Sequence, residues 1–325
     1  MKQILGIGNA LVDVMTMIND DSILGKFTLP KGSMQLVDKA KSEMVKSETV
    51  KFNRSLASGG SAANTIHGLA MLGVKTGFIG SIGKDELGDF FENDMKNAGI
   101  KTMLSRRNSV TGTAVALISP DSERTFATHL GAAVELEAAD LDPEYFTGYD
   151  ILYLEGYLIF NKSLVETACQ IAKEKKMKIA LDFASYNVVE SKLADFKEIV
   201  EKYVDIVFAN EEEARSFTGM GTKDALNSIS QFCEVAVIKV GSEGSWIKRG
   251  DKIIKIGPHP VNCKDTTGAG DLYASGFLYG YSKNFDLEKC GLLGSLTAGK
   301  VIEIVGARMD EDRWDEIKKN IDKFI

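Results

Sequence analysis

Short runs rich in Ile, Val and Leu alternate along the chain with longer amphipathic stretches. The runs at 4–8, 76–80, 151–154, 178–182, 206–208 and 235–240 are bounded by Gly, Asn, Asp or Lys and predict buried strands. Between them, apolar positions at helical spacing behind plausible caps predict helices over 62–72, 86–98, 163–173, 211–217 and 223–232. Strand and helix in strict alternation predict a doubly wound α/β fold, a mostly parallel sheet with helices on both faces. Two stretches break the rhythm, about 11–50 and 109–130. In the second, GTAVALISPDSERTFATHL reads as two strands joined by a polar turn. With both faces of the sheet taken by helices, such a β excursion belongs at the carboxyl edge of the strands, where open α/β sheets bind ligands. The expectation is one domain over 1–325 with a small β-sheet lid built from those two segments.

Composition narrows the class. The 325 residues are 44% hydrophobic and 26% charged, which excludes disordered and fibrous chains, and 31 Gly against 5 Pro favour tight turns over linkers. A net charge of -7 disfavours a nucleic-acid or anionic-membrane binder, so any bound anion needs a local site. The apolar run ILYLEGYLIF (151–160) is interrupted by Glu155 and Gly156, too short and too polar to span a bilayer. MKQILGIGNALVD meets Gly, Asn and Asp too early for a signal peptide, so a cytoplasmic location is expected. Cys169, Cys233, Cys263 and Cys290 form no C-x-x-C pair, which argues for reduced thiols over a zinc or dithiol site. The charge clusters at 173–176 and 310–320 read as solvated helix faces.

Four places concentrate polar chemistry. In Asp265-Thr266-Thr267-Gly268-Ala269-Gly270-Asp271, a Gly-x-Gly turn opens a helix, where unpaired N–H groups and the helix dipole favour an anion. Asp271, on the first turn, is either a cap or a general base. Ser58-Gly59-Gly60-Ser61-Ala62-Ala63-Asn64 leads into a second helix; Asn64 can recognise a hydroxyl or can close its own loop. Asn9 and Asp13 follow the first strand, at the ligand edge of an α/β sheet. Asn210-Glu211-Glu212-Glu213 follows another strand, suited to a hydrated Mg²⁺ or to its own helix dipole. There is no G-x-x-x-x-G-K-[ST], and GIGNALVD lacks the third glycine of a dinucleotide fingerprint, so a Walker-type NTPase and a dehydrogenase are both disfavoured.

On these residues the sequence resembles the PfkB/ribokinase family of small-molecule kinases. GGSAANTIHGLAMLG is similar to the family's first signature, DTTGAGDLYASGF to its second, and NEEE (210–213) to its N-x-x-E element. GNALVD, IGKDELGD (82–89), TGTAVALI and KVGSEGSW follow in family order, and the long N-terminal excursion with YDILYLEGYLIF looks most like adenosine kinases. The resemblance implies Asp271 as the base and Gly268, Ala269 and Gly270 as an anion hole. It implies Asn9, Asp13, Gly59, Gly60 and Asn64 at the acceptor hydroxyls, with Tyr157 either stacking on a base or covering the sheet edge. Asn210, Glu213, Lys239, Gly241, Gly244 and Thr266 would serve ATP, Glu213 holding Mg²⁺ through water. Asp265 and Thr267, with carbonyls of the 301–306 turn, match positions for a monovalent cation such as K⁺, and Arg124 matches a lid arginine. One departure is visible: a Gln is expected near the purine, but Met34 stands at that position, with Gln35 on the opposite strand face. The expected activity is ATP-dependent phosphorylation of a primary hydroxyl on a nucleoside, adenosine first, with ribose, fructose or a related sugar as the alternative acceptor. A catalytically silent ligand-binding module on the same scaffold is a third class, disfavoured because binding alone needs no base. A monomer and a homodimer paired through the lid both remain open.

Overall fold

A computed structural model describes residues 1–121 and 123–321; Ser122, inside the second expected lid segment, and 322–325, at the end of the expected domain, lie outside the described residues. The strands are β1 (Ile4–Ile7), β2 (Leu11–Met17), β3 (Met34–Leu36), β4 (Arg54–Gly59), β5 (Thr76–Gly83), β6 (Lys101–Arg107) and β7 (Gly112–Ile118), then β8 (Arg124–His129), β9 (Ile151–Glu155), β10 (Lys178–Asp182), β11 (Ile206–Asn210), β12 (Val235–Lys239), β13 (Ser245–Arg249) and β14 (Lys252–Ile256). Nine of them form one sheet in the order β14-β13-β12-β11-β10-β9-β1-β5-β6, parallel from β6 to β12 and antiparallel at the β12–β13–β14 end.

Strand residues alternate between two cores. Ile4, Tyr153, Phe208 and Val237 pack with the helices Ser61–Met71, Ala269–Ser282 and Leu287–Val301, whereas Leu5, Leu152, Leu154 and Val207 pack with Lys162–Glu174, Leu193–Tyr203 and Thr222–Ile229. Each fully buried Leu, Ile or Phe contributes roughly 1.5–3 kcal/mol. The Phe208 ring meets Phe277 edge to face at 5.3 Å, fixing the Ala269–Ser282 helix against the sheet centre. This is the doubly wound fold read from the sequence. Among the described residues, no helix is long and apolar enough to cross a membrane.

The remaining five strands make a second sheet, β3-β8-β7-β2-β4, in which β2 and β7 run parallel and β7 and β8 antiparallel. One face is covered by the helices Ser22–Lys26 and Lys39–Thr49 around Val14, Ile23, Leu24, Val45, Val115 and Leu117, a core separate from the other two. Register puts Met34, Phe126, Ala116, Met15 and Ser55 in one row, and Leu36, Thr128, Ala114, Asp13 and Ala57 in the next row of the same face.

The expected lid bounds need a correction: the first segment continues to Gly59, because β4 pairs with β2 along its length. β6, β13 and β14 were absent from the sequence reading. All three carry Lys or Arg at several positions, as edge strands and their neighbours do, which hides the apolar run.

Candidate active site

A cleft of about 660 Å³ opens between the second sheet and the carboxyl ends of the central strands. Asp182, Asn210 and Lys239 close β10, β11 and β12, Tyr157 follows β9, and Asp13 reaches in from β2. Two helix starts complete the wall.

Both starts are capped by a glycine with positive φ, Gly60 at 98° and Gly268 at 76°, conformations open to Gly at little cost, and neither cap has a side-chain acceptor. Ser61 Oγ donates to Asp271 Oδ1 at 2.7 Å and Asn64 Nδ2 donates to Oδ2 at 2.9 Å, so one helix start grips the carboxylate carried by the other. Ala269 N–H turns back to the Thr266 carbonyl at 3.1 Å. The N–H groups of Gly270 and Asp271 find no acceptor among the described residues, which leaves them to an anion. Desolvation raises the Asp271 pKa to about 6, against the Asn64 and Ser61 hydrogen bonds; Asp182 raises it further and Lys239 lowers it. At neutral pH it is an ionised, desolvated carboxylate, the state a base needs.

Beyond the turn, Asn210 and Glu213 form a capping box: Asn210 N–H donates to Glu213 Oε2 at 2.7 Å, Asn210 Nδ2 to Oε1 at 2.8 Å, and Glu213 N–H to Asn210 Oδ1 at 2.8 Å. Burial raises the Glu213 pKa to about 7 despite Lys239. Lys239 Nζ donates to Asp182 Oδ2 at 2.8 Å and stands 3.1 Å from where a Cβ on Gly270 would lie. Burial disfavours its charge, yet Asp182 and Glu213 hold its pKa above the ordinary lysine value. The donor set is all oxygen, as a hydrated Mg²⁺ on a polyphosphate requires. Among the described residues no three His, Cys, Asp or Glu side chains are grouped to hold a metal ion, so a Mg²⁺ here would be held through water and phosphate.

On the acceptor side, burial raises Asp13 to about 6, against Arg308 and with Asp271. Arg308 donates to the Ser58 carbonyl from Nε at 2.9 Å and from Nη2 at 2.6 Å. Arg124 forms a buried ion pair with Asp265 at 2.6 Å and donates to Thr267 Oγ1 at 2.9 Å. Asp265 Oδ1 also accepts from Thr267 N–H (3.1 Å) and Oγ1 (2.9 Å), and Oδ2 from Gly306 N–H (2.9 Å). A carboxylate has about four acceptor positions, so here a monovalent cation at Asp265 requires Arg124 to move away.

Of the residues singled out from sequence, Asp13, Gly60, Asn64, Tyr157, Asn210, Glu213, Lys239, Gly241, Thr267, Gly268, Gly270 and Asp271 border the cleft. Asn9 is buried behind it, Gly59 lies against the Asp13 carboxylate, and Thr266 contributes its carbonyl to the turn. Gly244 stands away from the lining, its N–H donating to the Gly241 carbonyl, which makes it a turn former. The exposed Glu211 and Glu212 of the acidic motif border it too, as do Ser61, Phe126, Asp182 and Ala184, which were given no role from sequence. Asp182 ends a predicted strand and Ser61 sits inside the quoted glycine motif, so both had a signal. Phe126 becomes visible only through strand register.

The model of the family described as "pfkB family carbohydrate kinase" matches residues 33–313. An uncharacterized sugar kinase of Archaeoglobus fulgidus is 31% identical over 247 residues, 74% of this chain and 96% of the relative. A 5-dehydro-2-deoxygluconokinase of Clostridium perfringens is 29% identical over 295 residues, covering 85% and 87%. Among solved structures, the adenosine kinase of Sinorhizobium meliloti superposes with a TM-score of 0.88 at 33% identity over 98% of this chain and 99% of that one. A probable sugar kinase of Rhizobium etli does so with 0.89 at 33% identity over 98% of each.

Proposed function

Because this chain belongs to the pfkB family of carbohydrate kinases, we propose that its cleft transfers the γ-phosphoryl group of ATP to a primary hydroxyl of a nucleoside, adenosine first. The observation that carries this reading is the Asp271 carboxylate, gripped by Ser61 and Asn64 one residue beyond a turn with two unsatisfied N–H groups. Phosphoryl transfer asks a protein for in-line placement, charge stabilisation and a proton acceptor more than for covalent chemistry. Asp271 takes the proton of the acceptor hydroxyl. Asp13 and Asn64 orient that acceptor through its other hydroxyls. The Gly270 and Asp271 amides, with Lys239 beside them, meet the charge that builds on the transferring oxygens. Mg²⁺, bound to the polyphosphate and held through water by Glu213, supplies charge neutralisation when present. A monovalent cation at Asp265 and Thr267 remains part of the proposal on condition that Arg124 swings aside.

The sheet face carrying Asp13 and Phe126 supports a nucleoside as the acceptor. Met15, Met34, Ala116 and Phe126 share the face of the second sheet on which Phe126 borders the cleft. Phe126 gives that wall an aromatic face on which a flat base can stack, with more apolar area to cover than the C–H faces of a free sugar offer. Gln35 turns away and donates to Ser33 Oγ at 3.1 Å, so no amide from that strand reads the purine edge. Base recognition by stacking alone predicts tolerance among nucleosides. The clostridial relative's name points instead to a gluconate, an acid whose carboxylate could be met by Arg124 Nε and Nη2 or by Arg308 Nη1, which have no hydrogen-bond partner among the described residues. The Asp13 and Asp271 carboxylates on the cleft wall repel such an acid, so a neutral nucleoside stays the first choice.

The deciding experiment is an ATP-coupled panel of adenosine, other nucleosides, ribose, fructose and 5-dehydro-2-deoxygluconate. Nucleoside monophosphates are the expected products. Turnover confined to the free sugars or the acid removes the nucleoside assignment.

A further inference from the structure

One buried carboxylate lies behind the cleft wall without any part in the chemistry above. Glu155, the last residue of β9, is 1% exposed, and burial raises its pKa to about 7. Oε1 accepts the main-chain N–H of Asn9 at 2.9 Å and its Nδ2 at 2.6 Å, and Oε2 accepts the N–H of Ala62 at 2.8 Å. Three chain segments therefore meet on one side chain: the end of β9, the residue after β1 and Gly8, and the first turn of the Ser61–Met71 helix. That helix begins at Gly60, which has no side chain to cap it, so the Ala62 N–H gets its acceptor from a strand 93 residues away. Gly8 leaves the room for this; a Cβ there would stand 2.5 Å from Glu155 Oε2 and 2.5 Å from the Ala62 Cβ.

Resting on the kinase reading, we propose that Glu155 is a positioning residue that aims the base through the helix it caps. Ser61 and Asn64 flank Ala62 on the same helical turn, and they are the two donors to the Asp271 carboxylate. Fixing the Ala62 amide fixes where those donors stand, and with them which oxygen of Asp271 faces the acceptor. The Asn9 contacts tie the same carboxylate to the stretch that leads into β2 and Asp13. The nucleotide half, on β11 and β12, has no bond to Glu155. A displacement of this turn by about 1 Å is of the size that costs about 100-fold in rate.

The test is Glu155→Gln, with Glu155→Asp as a second variant that keeps the charge and shortens the reach. In Gln, an NH₂ group must face either the Ala62 or the Asn9 N–H. The expected result is a fall in kcat of about 10–100-fold with KM for ATP within about twofold. Faster amide hydrogen exchange at Ala62, while the exchange of β11 and β12 is unchanged, is expected alongside. In a Ser61→Ala, Asn64→Ala background the kcat loss from Glu155→Gln should shrink several-fold, since the effect travels through those side chains. Full additivity in that background, an unchanged kcat in the variants, or a parallel loss of kcat and ATP affinity would overturn the proposal. The exchange measurement needs no substrate, so a wild-type protein inactive on every acceptor sinks the kinase reading while Ala62 exchange still reports on the tie.

Discussion

The two helix starts at the cleft are built from the same local parts and end up with different jobs. Each has a glycine cap in a left-handed or related conformation, small residues behind it and a polar side chain on its first turn. At Gly60–Asn64 the buried amide of Ala62 is taken by Glu155, while those of Ser61 and Ala63 have no acceptor among the described residues; at Gly268–Asp271 the Ala269 amide turns back to the Thr266 carbonyl and those of Gly270 and Asp271 have none. The outside tie makes one turn a bracket, whereas the other closes only on itself, with Lys239 beside it, as a receptor. What separates them is a carboxylate far away in sequence, and no inspection of either glycine motif alone would have told them apart.

The comparison can be broken in four ways, beginning with the receptor's own carboxylate. Asp271→Asn keeps the shape and both donors' reach but removes the proton acceptor, and kcat should fall about 10²–10⁴-fold with little change in ATP affinity. Steady-state kinetics with saturating ATP decides it, and turnover near that of the wild type removes the base. Next is the bracket's cap. Gly60→Ala puts a Cβ 2.1 Å from the Asn9 carbonyl oxygen at a φ of 98°, so a loss of about 1–3 kcal/mol in unfolding free energy is expected. An unshifted denaturation midpoint would show that this turn relaxes freely.

Gly270→Ala should give the opposite signature. Its added Cβ meets only the terminal amine of Lys239, at 3.1 Å, and a side-chain end can shift by a few tenths of an ångström, so stability should hold within about 1 kcal/mol, helped by Ala's helix propensity. The methyl group displaces the amine from the anion turn, and kcat should drop by about tenfold, about 1.4 kcal/mol of barrier. If Gly270→Ala loses stability and keeps rate, the contrast between bracket and receptor is wrong.

The smallest effect is in pH. Desolvation holds Asp13 and Asp271 at about 6 and Glu155 and Glu213 at about 7, so each binds protons in the folded chain that the unfolded chain still lacks above about pH 4. Their contribution to stability is present at pH 5 and lost as pH rises through 6 to 7. His67 and His259, lowered by burial, act in the opposite sense, but they are two groups against four. On going from pH 8 to pH 5 the Tm should therefore rise by a few degrees while the rate falls below pH 6 as Asp271 takes a proton. A Tm that falls with the rate over that interval contradicts the raised carboxyl values.

The central strands were legible because strands buried on both faces show as uninterrupted apolar runs, as in ILYL before Glu155. The edge strands were not, since KTMLSRR and SWIKR look like surface segments until hydrogen bonding is known. At the cleft, glycine motifs gave away both helix starts. Asp13 was legible from its place after the first strand and Lys239 through family order, and the pairing of Lys239 with Asp182 needed the adjacency of β10, β11 and β12. Glu155 entered the sequence reading only as the charge that disqualified a membrane span. Its role depends on contacts 93 and 146 residues away, and no local pattern encodes those.

The second sheet keeps its own apolar interior, drawn wholly from 14–52 and 115–127. An element that brings its packing with it tolerates change on its open face, even though Val12 of β2 roots it in the main core. On the proposed reading, substitution of Phe126, which borders the cleft and lies outside that interior, retunes what is admitted without disturbing the strands beneath.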